Sequence, residues 1–235
     1  MKRYILALLI TLCAADSIFC CTSAIVSGKV TATGNTLMWK HRDTDHLNNF
    51  VAKVTAKNPD RLDYVALFNE GDSTLAEAWT GVNSAGFAIM NTASYNLVPD
   101  TAAYRDKEGC VMSEALSRCR TVDDFGKLLD SLDKPLGVQA NFGVIDASGA
   151  GAYFETTDHG YTRYDLADEP AGVLYRTNFS CSGDTCTGFG YIREKNARHL
   201  LEPYRAAGEI SPEVFTEVLS RSFYHSVSYT HLTLP

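Results

Sequence analysis

The chain has no run of basic residues. Lys and Arg number 21 against 28 Asp and Glu, a net charge of −7, which argues against nucleic acid or an anionic membrane as the main partner and favours a neutral or small polar ligand. It has no internal repeat and no low-complexity linker. Its six histidines, His41, His46, His159, His199, His225 and His231, show no metal-ligand spacing and accompany no nucleophile motif. That pattern argues against a zinc site or a papain-like Cys/His pair. Beyond the first twenty residues no apolar stretch approaches the roughly 20 residues that a membrane span needs. No membrane span, and a soluble mature protein, are therefore expected.

What the chain has, first of all, is a leader. Lys2 and Arg3 precede an apolar stretch from Tyr4 to Ala15 and a short polar exit, the three parts of a secretion signal. A periplasmic or secreted location is expected. Cleavage after Ala15 would leave residues 16–20 as a short propeptide, to be removed in a second, self-cleaving step; cleavage directly before Cys21 is the other route. Either way the mature chain would open on Cys21-Thr22-Ser23-Ala24-Ile25-Val26, and one residue would supply both a thiol and a free α-amine. A thiol with a pKa of about 8.5 is a poor nucleophile at neutral pH without help, and an α-amine of pKa about 8 is a base on the same residue. If Cys20 or Cys21 were acylated instead, the cysteine would serve attachment only, in a lipid-anchored surface binding protein.

Of the seven cysteines, Cys13 and Cys20 leave with the leader, and an odd number remains. In an oxidising compartment Cys181 and Cys186 are the easiest pair to close. Cys110 and Cys119 either form a second pair, if the segment between them bends, or stay as buried thiols. At the other end, residues 227–235 back-translate into a sequence resembling a transposon-end sequencing adapter. The expectation is a leader over 1–20, one domain over 21–226 that lacks its true C-terminal part, and an adapter-derived tail.

The pattern along the domain is strands, helices, strands, helices. Thr22 to Ser27 and Thr36 to His41 read as a hairpin around Gly28 and Gly34-Asn35. Strands follow at Phe50 to Thr55, Asp63 to Asn69, Glu77 to Val82 and Gly86 to Ala93, the last two joined by a turn at Asn83-Ser84-Ala85-Gly86. Val111 to Arg118 reads as a helix, and Thr121 caps another, with Asp123 and Asp124 in its first turn and Phe125, Leu128, Leu129 and Leu132 on its buried face. Strands return at Ala140 to Ala147, Gly151 to Thr157 and Gly172 to Phe179. Helices are expected from Glu194 to Ala206 and from Ser211-Pro212-Glu213 onward. A layered α+β domain accommodates this order.

Cys21-Thr22, Gly34-x-Thr36-Leu37-Met38 and Lys40-His41-Arg42-Asp43 resemble the opening of the N-terminal-nucleophile (Ntn) cysteine hydrolases. The resemblance extends through Gly81-Val82-Asn83-Ser84-Ala85-Gly86-Phe87-Ala88-Ile89-Met90-Asn91, Ala140-Asn141-Phe142-Gly143-Val144-Ile145-Asp146 and Arg176-Thr177-Asn178. That group includes choloylglycine hydrolase, penicillin V acylase, acid ceramidase and secreted dipeptidases, and the chain is most similar to its acyl-CoA:6-aminopenicillanic acid acyltransferase-like branch. The resemblance implies a four-layer αββα Ntn-hydrolase sandwich, C-terminally truncated here, and hydrolysis or acyl transfer at a linear amide of a small molecule. It implies no metal or organic cofactor; dipeptide or bile-acid amide cleavage is the alternative in the same fold, and homo-oligomerisation is left open.

The same resemblance assigns roles. Cys21 is the nucleophile, and Asp43 holds its amine by a charge-assisted hydrogen bond. Asn91 donates to the oxyanion, and Asn178 orients the nucleophile or contributes to the same hole. Lys40 stands where most members carry arginine; it lacks the planar fork, and Arg42 is the other candidate for the cation that favours the thiolate. Asn141 reads as structural, and Arg221 is a weak match to an arginine late in the family.

Overall fold

The computed structural model describes residues 21–97 and 106–221. The leader, the segment 98–105 and the tail 222–235, with His225, His231 and the adapter-like stretch, lie outside the described residues.

The chain opens with the hairpin expected at its start. β1 (Thr22–Val26) pairs antiparallel with β2 (Leu37–His41) in the register Thr22↔His41, Ser23↔Lys40. The loop between them closes tightly: a Cβ on Gly28 would stand 2.1 Å from the Gly34 carbonyl oxygen, and Gly34 has φ +74°, so both positions require glycine. A meander follows, built from β3 (Asn49–Val54), β4 (Tyr64–Asn69), β5 (Thr80–Asn83) and β6 (Ala88–Ala93). Asn83 fixes the turn between β5 and β6 by accepting from the Ala85 and Phe87 amides.

Two helices interrupt the meander, α1 (Glu108–Arg118) and α2 (Val122–Ser131). The second begins with a complete capping box: Thr121 accepts from the Asp124 amide while the Asp124 side chain accepts from the Thr121 amide, satisfying donors that a helix start leaves unpaired. The meander resumes with β7 (Ala140–Ile145), β8 (Gly151–Thr156) and β9 (Tyr161–Asp165). β10 (Val173–Arg176) then returns to pair with β1, and α3 (Tyr191–Ala207) and a π-helical segment, Val214–Leu219, close the described chain.

Two antiparallel sheets result, one of order β10-β1-β2 and one running β3 to β9 in sequence order. Alternation along β1 shows how they stack. Ala24 and Val26 point into a core shared with α3 and the π-helical segment (Ala197, Leu201, Phe215). Ile25, between them, points the other way, against Met90 and Tyr153 of the large sheet. The opposite face of that sheet packs Phe142, Phe154 and Ile89 on Met112, Leu116 and Phe125 of α1 and α2. The layers are therefore helix, sheet, sheet, helix, the αββα order that the resemblance implies.

Several expectations change in detail. β5 starts at Thr80, three residues after Glu77, while α1 and α3 each start three residues earlier than expected. β9 has no counterpart in the sequence reading: it is an edge strand with no buried position, so it lacks the apolar alternation that marks a covered strand. All five described cysteines are free thiols. Cys181 and Cys186 do not close a bridge; their backbone amides are held instead by the carboxylates of Glu155 and Asp184. Cys119 is buried in the helix-side core, and burial pushes its thiol up to about 12.

Candidate active site

Cys21 is buried at the residue that leads into β1. Residues two apart on a strand share a face. Ser23, bonded to Tyr153 across the interface, and Ile25 therefore put Cys21 on the face of β1 that meets the large sheet. On β2 the same face carries Met38, which packs between the sheets, then Lys40, with Arg42 just beyond the strand end. The β1–β2 register thus brings the thiol and two cations to one end of the inter-sheet layer.

A cavity of about 480 Å³ opens there, and Cys21, Lys40, Arg42, Asp43 and Asn91 all line it. The Cys21 thiol donates to the main-chain carbonyl of Asp43 at 3.8 Å, so the residue that was expected to return beside the nucleophile does so, with its backbone making the contact to sulfur. Lys40 Nζ donates to the Trp79 carbonyl at 3.1 Å and to Asn91 Oδ1 at 2.8 Å. Loss of hydration lowers its pKa to about 8, against the opposing pull of Cys21 and with a further push from Arg42. An ammonium only donates, so it fixes Asn91 Oδ1 toward itself and leaves Nδ2, which only donates, as the free end of that amide. That is the polarity an oxyanion site requires.

Arg42 is held elsewhere. It donates to Asn49 Oδ1 and, at 2.8 Å, to Asn69 Oδ1, and it lies 5.0 Å from the ring centre of Trp79. Its pKa is lowered by burial, with Cys21 and Asp45 pulling the other way. Of the two cations, Lys40 is the one bonded to Asn91 and Arg42 the one that ties the mouth of the site to β3 and β4.

Asn178 does not line the cavity. Its Nδ2 donates to the Ala93 carbonyl at 3.0 Å and its Oδ1 accepts from Arg193 at 2.8 Å. Arg193, in the first turn of α3, also donates to the Cys21 carbonyl and, at 3.1 Å, to Thr22 Oγ1. Asn178 therefore reaches the nucleophile through Arg193, which the sequence reading did not single out. Among the described residues Arg221 pairs only with Glu217, at the surface. Asn141 is fully committed: its Nδ2 donates to Thr92 Oγ1 and to the Thr177 and Phe179 carbonyls, and its Oδ1 accepts from Ser180.

Two further groups on the cavity wall were not anticipated. Trp79 Nε1 and Glu108 Oε2 are buried and have no hydrogen-bond partner among the described residues. Trp79 follows the exposed stretch before β5, and Glu108 is the first residue of α1. The helix was expected only from Val111, so Glu108 fell outside it and nothing in the chain marked it.

No family model and no curated protein matches the chain. Solved structures do. A Caenorhabditis elegans orthologue of N-acylethanolamine-hydrolyzing acid amidase superposes with a TM-score of 0.62 at 15% identity, over 85% of each chain. A variant of the conjugated bile acid hydrolase of Clostridium perfringens superposes with a TM-score of 0.52 at 12% identity, over 84% of this chain and 77% of that one. At such identities the likeness is one of fold, and it agrees with the layer order read from the packing. Among the described residues no helix is long and apolar enough to cross a membrane. The chain carries the αββα fold of the Ntn hydrolases related to choloylglycine hydrolase.

Proposed function

We propose that the chain is a secreted or periplasmic hydrolase of linear amides, with Cys21 as its nucleophile once residues 1–20 are removed. The observation that carries this reading is the grouping of Cys21, Lys40 and Asn91 in one cavity, with the free end of the Asn91 amide restricted to donating. The two structural neighbours support it as far as their names go, since both are amide hydrolases.

In this reading the Cys21 α-amine, oriented by the Asp43 carboxylate, takes the thiol proton, directly or through a water. Sulfur attacks the amide carbon, and Asn91 Nδ2 donates to the oxygen as it becomes negative. The C–N bond breaks, the proton moves to the leaving amine, and a thioester remains. Water then attacks the thioester, giving the acid and restoring the thiol. Lys40 supplies positive charge beside the sulfur, and Arg193 and Asn178 hold the backbone of the nucleophile in place. Acyl transfer is the same path with an amine replacing water in the last step.

Two measurements test the reading together. Intact-mass analysis is expected to show a mature chain beginning at unmodified Cys21, and Cys21→Ala is expected to abolish amide turnover and, where processing is autocatalytic, to retain the preceding residues. A diacylglyceryl group on the cysteine, or turnover surviving in Cys21→Ala, overturns it.

A further inference from the structure

Glu108 has no task in that mechanism, yet its position is unusual for a glutamate. It is only 6% exposed, it lines the cavity that holds Cys21, and its Oε2 is buried without a partner. Two more carboxylates flank it on the same wall. Asp106 lies within hydrogen-bonding reach of the Glu108 carboxyl, which also accepts from the backbone amides of Glu108 and Gln139, so Oε2 alone is left without a donor. Glu77 abuts the start of α1 so closely that a Cβ on Gly109 would stand 2.7 Å from the Glu77 Cβ.

The cations of the cavity do not neutralise this group. Lys40 is bonded to Trp79 and Asn91, and Arg42 to Asn49 and Asn69. A buried carboxyl with one oxygen unpaired is costly. Burial, and then the neighbouring Asp106 carboxyl, push Glu108 well above the usual carboxylate range. A positively charged donor seated against Oε2 would supply the partner that this oxygen lacks and offset the cost of a buried negative charge. Among the described residues no group of three side chains could hold a metal ion, so an organic cation suits the wall better. A primary ammonium has three donors on a compact charge and can face two carboxyls at once.

We propose that the Glu108 end of the cavity is a subsite for a primary ammonium, and that the amide cleaved at Cys21 carries a free amino group away from the scissile bond. The subsite makes Glu108 and Asp106 specificity determinants, with Glu77 adding negative charge at the rim. The second half of the proposal rests on the hydrolase reading above; the first half does not.

The test separates them. The full chain carrying Cys21→Ala, which cannot turn over, is titrated calorimetrically at pH 7 with n-alkylammonium ions of three to eight carbons and with the alcohols of equal length. The ammonium is expected to bind at least tenfold more tightly than its alcohol, and Glu108→Gln to erase the difference. Asp106→Asn, at an exposed position, is expected to reduce it severalfold and keeps the test readable if Glu108→Gln fails to fold. Equal binding of ammonium and alcohol overturns the subsite, as does a preference untouched by both variants. With Cys21 intact, 6-aminohexanoyl p-nitroanilide is expected to show a higher kcat/KM than hexanoyl p-nitroanilide. Equal turnover of the two overturns the substrate half of the proposal and leaves the hydrolase reading standing. Selective, Glu108-dependent ammonium binding with no turnover of either supports the subsite and counts against Cys21 hydrolysis.

Discussion

The two halves of the seven-stranded sheet differ in what covers their inner faces. On β6, β7 and β8 that face carries Met90, Thr92, Asn141, Tyr153 and Glu155, all buried beneath the small sheet and the segment that follows it. The polar side chains of that face are paired: Ser23 meets Tyr153, Asn141 bridges to Thr92, Thr177, Phe179 and Ser180, and Arg176 meets Glu155 at 2.6 Å. On β3, β4 and β5 the residues facing the same way are Val51, Val65 and Val82, which are 68%, 41% and 48% exposed. Their neighbours Ala52, Tyr64 and Ala66 pack on the helix side. The candidate site lies along the seam, with Cys21 and Asn91 on the covered side and Asn69, Glu77 and Trp79 on the open side. The nucleophile thus sits on rigid, over-determined backbone, while part of the wall that meets a ligand rests on strands supported from one face. That division suits a site in which the chemistry needs sub-ångström placement and the pocket needs to differ between substrates.

Breaking the covered half should have the largest effect. Glu155 holds Arg176 and also accepts from the Cys181 and Ser182 amides, so Glu155→Gln leaves a buried guanidinium without its counter-charge. A loss of about 3 to 5 kcal/mol is expected in urea unfolding, the range for breaking one side of a buried pair; a loss below about 1 kcal/mol would mean that the covered half does not depend on it. At the seam, Asn91→Ala is expected to lower kcat about a hundredfold with little change in KM or in unfolding, since an oxyanion donor acts in the transition state. An unchanged kcat would remove Asn91 from that role.

The same division decided how much could be read from the chain. The β1–β2 hairpin, the turn at Asn83 and the cap at Thr121 rest on contacts within a few residues of sequence, and the structure has each where the local pattern implies it. Cys21, Lys40, Arg42 and Asp43 come together because one hairpin register does it. Arg193 was not visible, because its bond to the Cys21 carbonyl joins residues 172 apart and exists only through the packing of α3 on the small sheet. Glu108 was hidden for a related reason: it lies ahead of the helix read from Val111, and only the approach of α1 to the cavity marks it. β9 was missed because an edge strand without a buried position carries no pattern to read.

A smaller effect sharpens the role of the cation at the seam. Lys40 titrates at about 8 because burial disfavours its charge, and the charged form is the one present below that value. If the ammonium both orients Asn91 and favours the thiolate, kcat/KM falls as pH rises through about 8, against the rise that deprotonation of the α-amine brings. Lys40→Arg, whose guanidinium stays charged, is expected to remove the alkaline fall up to about pH 10. A variant with the same alkaline limb as the parent would assign that limb to another group.

The smallest effect tests the open face itself. Val82→Thr keeps the β-branch that suits a strand and changes one methyl to a hydroxyl at a half-exposed position, so unfolding should shift by no more than about 0.5 kcal/mol. Met90→Ala, on the neighbouring strand but under the small sheet, should cost about 2 to 5 kcal/mol. The contrast between adjacent strands is the point of the pair, because both belong to one sheet and differ in what lies above them. Should Val82→Thr cost more than about 1 kcal/mol, the face is covered in solution. A cost that grows with protein concentration would then identify a second copy as the cover, since only an intermolecular contact depends on concentration.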